Sequence, residues 1–214
     1  MANTANDDVP LSAEQALARL VEGNRRFLDE RTPTSARSFS AHMARTPQRP
    51  FAIILGCSDS RTPVEILFDQ GFGDLFVVRI AGNIVAPSVI GSIEFAASEF
   101  SSQLVVVMGH TGCGAVTATV RAIETGRGPE SNNIRDITSR IAPHIEALVR
   151  PGDHAAVMRE AVRANVRASA SHLRHGSRIL EELVLGGRLV VAPAEYDLAT
   201  GAVTFFDTPP ELAR

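Results

Sequence analysis

Three side chains carry the most chemistry in this sequence: Cys57 in "LGCSDSRTP", and His110 and Cys113 in "MGHTGCGAV". The chain has no other cysteine. A buried free thiol usually serves as a small hydrophobe, and a lone histidine on an apolar strand is more often a satisfied core residue than a ligand. The neighbours argue against both readings. Ser58, Asp59 and Arg61 are poor company for a core thiol, because burying them unpaired is costly. His110 has a cysteine three residues on. A phosphate-binding loop is excluded, since no Gly-Lys-Ser/Thr follows the glycines. A dithiol redox pair requires the two thiols to meet across strand ends without a C-x-x-C motif. A cysteine nucleophile served by His110 leaves the second thiol, Asp59 and Arg61 without roles. A zinc site gives all of them one. Two thiolates and an imidazole are a good zinc set, and three protein donors leave the fourth position open for chemistry. The thiolate charges offset that of the ion, and the glycines of "HTGCG" let the backbone pass close to it.

The elements that must hold these residues are legible as apolar runs. "FAIILGC" (51–57), "LFVVRI" (75–80), "LVVVMGH" (104–110) and "RLVVAPAEYD" (188–197) read as strands buried on both faces. "AVTFFD" (202–207) alternates like an edge strand. Helical periodicity marks "PLSAEQALARLVEGNRRFLDE", with Ser12 and Gln15 as a capping box and Leu17, Leu20, Val21, Phe27 and Leu28 as its apolar positions. It also marks 35–45, 86–100, 112–126 with a C-cap at Gly126, 153–176 and 177–187. No element is assigned between 127 and 150. Strands alternating with helices predict a mostly parallel sheet, about four parallel strands plus an antiparallel edge strand, with helices on both faces. In such sheets ligands bind beyond the carboxyl ends of the strands, where the strand order switches. Cys57 and His110 stand at two such ends.

The whole chain narrows the function classes. With 214 residues it fits one domain over 1–214, with 1–10 a polar terminus. The net charge of −3 offers no basic face for nucleic acid or anionic lipid. No apolar run approaches the roughly 18 residues needed to span a bilayer, and "MANTANDDVP" has no signal- or transit-peptide pattern. Two cysteines are too few for a disulfide scaffold, so a cytoplasmic location is expected.

"CSDSR" followed by "HTGCGAV" resembles the β-class carbonic anhydrases. From Gln48 to Val116 the order "Q-x-P, CSDSR-x-P, GDLFVVR-x-AGN, IE-x-A, GH-x-x-CGA" is similar to that family throughout. The resemblance implies zinc held by Cys57, His110 and Cys113, and reversible hydration of carbon dioxide to bicarbonate and a proton by hydroxide generated at the metal. Asp59 would accept a hydrogen bond from that hydroxide, and Arg61 would keep Asp59 ionised and off the metal. Gln48 matches a glutamine that reaches the substrate across a dimer interface, and Phe76 an aromatic lining the partner's carbon dioxide pocket. An obligate dimer or a dimer of dimers follows, with N-terminal helices packing on a partner subunit. Alternatives on the same scaffold are a carbonyl sulfide or carbon disulfide hydrolase and a non-catalytic zinc or sensor protein. His144, His154, His172 and His175 are expected to be solvated, and none is selected as a proton shuttle.

The resemblance also raises regulation. Some members close at lower pH when the aspartate moves onto zinc, and bicarbonate stabilises that form in a pocket made by a tryptophan, an arginine and a tyrosine. Arg79 and Tyr196 match the last two, but Ile54 stands at the tryptophan's position. An isoleucine cannot donate to the anion. An open site without cooperative bicarbonate inhibition is therefore expected, with Arg79 and Tyr196 in structural roles.

Overall fold

The computed structural model describes residues 10–30, 47–150, 154–207 and 212. The helix expected over 35–45 and residues 1–9 of the polar terminus lie outside them. The four apolar runs and the alternating segment form β1 (Ala52–Gly56), β2 (Leu75–Arg79), β3 (Leu104–His110), β4 (Val190–Tyr196) and β5 (Val203–Phe205), although β2 is only half-buried, contrary to the two-faced burial expected of it, because it lies at the sheet edge. They make one sheet in the order β2-β1-β3-β4-β5. The first four are mutually parallel and β5 runs antiparallel to β4, as expected.

β1 and β3 are buried at every position. Helices cover both faces, so a continuous apolar run is the pattern the environment selects. Strand alternation divides the side chains. Ala52, Ile54, Leu104, Val106 and Met108 face α1 (Ala13–Leu28). Ile53, Leu55, Val105, Val107 and Val191 face α3 (Pro87–Glu99), α6 (His154–His175) and α7 (Arg178–Leu185). A third apolar cluster gathers Cys57 and Cys113 with residues of α4 (Gly114–Thr125), α5 (Asn132–Ile145) and α6.

α1 starts as its sequence directs. The Ser12 hydroxyl accepts from the Gln15 N–H, and the Gln15 side chain accepts from the Ser12 N–H. Its buried stripe is Ala13, Ala16, Leu17, Leu20, Gly23 and Asn24, whereas Val21 and Leu28 are exposed. The stripe is narrower than hydrophobicity suggests because Gly23 lies against backbone. A β-carbon there would sit 1.8 Å from the Phe68 carbonyl oxygen. Asn24 then ties the helix to two other segments. Its Nδ2 donates to the carbonyls of Leu67 (3.0 Å) and Gly201 (3.1 Å), and its Oδ1 accepts from the Val203 N–H at 3.0 Å. Arg26 adds an ion pair to the buried Asp69 at 2.6 Å.

α2 (Val64–Leu67), a single turn, and α5 are additions to the sequence-derived elements. The signal for α5 is present: Ser131 caps the Ile134 N–H, and Ile137, Ile141 and Ile145 recur every four residues. Pro143 argues against a helix there, and its missing N–H removes one rung of the ladder, to the Ser139 carbonyl, near the C-terminal end of a helix that forms regardless. α4 ends at Gly126 in the left-handed region (φ +65°), as expected.

Candidate metal centre

Strand order places the site. From β1 the chain crosses to β2 on one side, and β3 then lies on the other side of β1. The crevice beyond the carboxyl ends of β1 and β3 is therefore the switch point. Cys57 follows β1 directly, His110 is the last residue of β3, and Cys113 caps α4. Gly112, between the two ligand-type residues of that turn, takes φ +67°, which turns the chain sharply enough to bring Cys113 back to His110.

All three side chains are buried, and one donor atom from each lies within 4.8 Å of the others. Among the described residues these three are the cluster that could hold a metal ion. The His110 Nδ1 is 3.0 Å from the Thr111 carbonyl oxygen. Donation from Nδ1–H leaves the lone pair on Nε2, and that buried atom has no hydrogen-bond partner in the protein. The thiols are polarised against each other. Cys57 is held down to about 4, first by the hydrogen bond from Cys113 and then by His110 and the N–H groups of Asp59 and Gly82, against its own burial. Cys113 moves upward because it donates to Cys57 and is buried, although amides at the start of α4 oppose this. Burial pushes His110 down, but the neighbouring Cys57 thiolate, with the Thr111 carbonyl and Asp59, brings its net shift upward.

This donor set fits zinc. A tetrahedral site with Zn–S of about 2.3 Å and Zn–N of about 2.0 Å needs donors about 3.5–3.8 Å apart. The observed cluster is within reach of that spacing, and the partnerless Nε2 supplies the neutral nitrogen such a site requires.

Asp59 and Arg61 stand beside it. Arg61 Nε and Nη2 donate to the two Asp59 carboxylate oxygens at 2.9 and 2.7 Å, and the Arg61 N–H adds a third bond at 2.9 Å. This grip holds the Asp59 carboxyl well below the usual carboxylate range. Asp59 Oδ2 is 3.9 Å from His110 Nε2, so the carboxylate borders the donor cluster. Arg79 braces the same loop, donating to the carbonyls of Cys57 (2.9 Å) and Asp59 (2.6 Å). Thr62 donates to both carbonyls as well, at 3.1 and 2.9 Å. Thr62 is absent from the sequence-derived set. Its spacing of three from Asp59, common where a hydroxyl closes a turn, is the signal that marks it.

The fold brings together Cys57, Asp59, Arg61, His110 and Cys113. It does not bring Gln48 or Phe76 to them within one chain. Gln48 is exposed ahead of β1, at the end opposite Cys57, and Phe76 pairs in register with Ile53, near the start of the strand. Ile54 is fully buried, and Tyr196 packs in the same core cluster. His144, His154, His172 and His175 are exposed.

The sequence profile of the carbonic anhydrases matches residues 52–203, which takes in all five residues assembled at the strand ends. The chain is 38% identical over 200 residues to carbonic anhydrase 2 of Mycobacterium tuberculosis, covering 92% of this chain and 93% of that one. The chain belongs to the β-carbonic anhydrase family. As a β-carbonic anhydrase it is an enzyme of reversible carbon dioxide hydration. Solved structures share the fold at lower identity. The Coccomyxa β-carbonic anhydrase in complex with acetazolamide has a TM-score of 0.68 at 24% identity, over 88% of this chain and 85% of that one. A tetrameric β-carbonic anhydrase from Sordaria macrospora has a TM-score of 0.66 at 23% identity, over 75% and 82%.

Proposed function

We propose that this β-carbonic anhydrase works with zinc held by Cys57, His110 and Cys113, and that Asp59 and Arg61 serve the reaction beside it. The observation that carries this reading is the buried His110 Nε2, without a protein partner and clustered within 4.8 Å of the two cysteine sulfurs. Zinc, when bound, supplies Lewis acidity that lowers the pKa of water from about 15.7 to about 7, so hydroxide is available at neutral pH.

The chain's own residues do the rest. Asp59 is ionised, and its Oδ2 accepts a hydrogen bond from the nucleophile, aiming a lone pair at the carbon of carbon dioxide. Arg61 fixes the carboxylate's plane through two parallel bonds, a geometry lysine could not supply. Arg79 and Thr62 hold the loop carbonyls so that Cys57 and Asp59 keep their spacing. Cys57 and Cys113 would bind the ion as thiolates, so affinity for zinc rises with pH.

Gln48 and Phe76 belong, in this proposal, to the site of a partner subunit. Two features support self-association. Among the described residues β2 is an edge strand with no strand paired on its outer side, and an apolar edge of this kind is a liability unless covered. Phe76, Phe95 and Phe100 form an aromatic group beside it, with centroids 5.7–6.4 Å apart and Phe95 half exposed. α1 packs on its own sheet, leaving Val21 and Leu28 exposed on its outer side for a partner. The Sordaria relative is tetrameric, and we propose a dimer or tetramer here. No described helix is long and apolar enough to cross a membrane. A cytoplasmic location is our proposal, supported by two cysteines that are both free thiols.

The test is metal analysis together with stopped-flow carbon dioxide hydration. One zinc per chain, loss of activity on chelation and recovery with added zinc are expected. Full activity in metal-free protein overturns the proposal. Carbonyl sulfide turnover exceeding carbon dioxide hydration would favour the hydrolase alternative, which the named relatives do not favour.

A further inference from the structure

Two polar residues interrupt the apolar stripe of α6. Its buried positions are Ala161, Val162, Asn165, Val166, Ser169, Ala170 and Leu173. Asn165 and Ser169 are one turn apart, and an amide and a hydroxyl in such a stripe need partners. Both find theirs in the turn Ala81–Asn83 that follows β2. Asn165 Nδ2 donates to the Gly82 carbonyl oxygen at 2.8 Å, and Ser169 Oγ donates to the Asn83 carbonyl oxygen at 2.9 Å.

That turn is unusual in its backbone. Gly82 (φ +69°) and Asn83 (φ +44°) are both left-handed, a conformation glycine adopts freely and asparagine tolerates better than most side chains. Gly82 has no room for a side chain either, because a β-carbon would lie 2.9 Å from that of Ala115. The result of holding it is specific. The Gly82 N–H points at the Cys57 sulfur, with nitrogen and sulfur 3.4 Å apart. A chain of two hydrogen bonds thus runs from α6 through one glycine to a metal-ligand thiolate.

We propose that Asn165 is a positioning residue for the metal centre: by holding the Gly82 carbonyl it aims the Gly82 N–H at Cys57 Sγ, and Ser169 secures the turn behind it. An N–H donated to a ligand thiolate withdraws charge from sulfur and fixes its direction. Outer-shell partners of this kind alter metal affinity about 10–100-fold. α6 lies far along the chain from the ligand motifs, so this contribution is a property of the tertiary structure.

This inference rests on the metal-site reading, and the test separates the two. Cadmium-113 would replace zinc in the full-length protein, and scalar coupling between cadmium and amide protons would be read by NMR. Coupling to the Gly82 amide proton is expected, since it must pass through the N–H···S bond. Protein that takes up no cadmium would overturn the metal-site reading itself. Protein that binds cadmium without coupling to Gly82 would overturn only this proposal. Asn165→Leu, similar in size but without a donor, should weaken zinc binding about 10-fold in chelator competition and shift the thiolate-to-metal charge-transfer band of the cobalt(II) form. Ser102→Ala removes another buried side-chain bond, from Ser102 to the Pro50 carbonyl, far from the site, and should leave both readings unchanged. Equal zinc affinity and an unmoved band in Asn165→Leu would reject the role. The wild-type coupling decides the matter should that variant not fold.

Discussion

Cys57, His110 and Cys113 each come from a different position in the strand–turn–helix frame, and no two of them suffice for a tetrahedral site. Cys113→Ala should therefore bind almost no zinc and lose essentially all activity. Metal content by mass spectrometry checks this, and full occupancy would remove Cys113 from the ligand set. Asp59→Asn is different in kind. The amide leaves the three donors untouched but cannot form the bidentate pair with Arg61 and present an anionic acceptor to the nucleophile. Zinc should be retained while kcat/KM falls on the order of 100-fold. An unchanged kcat/KM would show that the Asp59–Arg61 pair is only a surface ion pair. Ile54 bears on regulation. It is fully buried among aliphatic side chains, and Arg79, the matching cation of the bicarbonate pocket, is occupied with the Cys57 and Asp59 carbonyls. A missing donor to a charged group is worth about 1.5–3 kcal/mol, at least tenfold in affinity. Bicarbonate inhibition measured against pH should be hyperbolic and not sigmoidal, and cooperativity would contradict this account.

At the scale of elements, α1 is held to the rest of the molecule by polar ties as much as by its apolar stripe. Asn24 bridges the end of α2 and the β4–β5 hairpin through three hydrogen bonds, at least one fully buried. Asn24→Ala leaves those backbone groups unmet, and a loss of about 2–4 kcal/mol is expected. Chemical denaturation at fixed zinc and protein concentration measures it, since both metal and self-association add to apparent stability. A shift within error would show that the apolar stripe alone holds the helix. The elements also explain which sequence signals were sufficient. β1, β3 and β4 are legible because burial on both faces leaves a continuous apolar run, whereas the half-buried β5 shows as an alternating edge. α5 is hidden by Pro143, whose place in the last turn becomes plain only once the helix has its length.

At the scale of the whole molecule, β2 is an edge strand among the described residues, with Phe76, Phe95 and Phe100 forming an aromatic group there. Phe95→Glu places a charge in that group and should shift the protein toward monomer in sedimentation velocity. Because Gln48 and Phe76 lie away from their own chain's metal centre, that monomer should also lose activity. Stopped-flow assays over a dilution series would show kcat/KM falling as the assembly dissociates. A fully active monomer would remove Gln48 and Phe76 from the reaction.

Sequence alone singled out the proposed donor set, its placement at two strand ends and the parallel sheet beneath it. These are local matters: residue types, short spacings and burial patterns that repeat every two or four residues. The family's motif order from Gln48 to Val116 added the roles proposed for Asp59 and Arg61. Only the tertiary structure decided which groups surround the donors. The N–H of Gly82 reaches Cys57 because Asn165 holds the turn from a helix more than 80 residues away in sequence. Arg79 faces the carbonyls of the Cys57 loop because β2 lies beside β1 in register, Gly56 against Arg79. Such pairings follow from how strands and helices pack, and the individual residues involved look like ordinary polar positions until that packing is known.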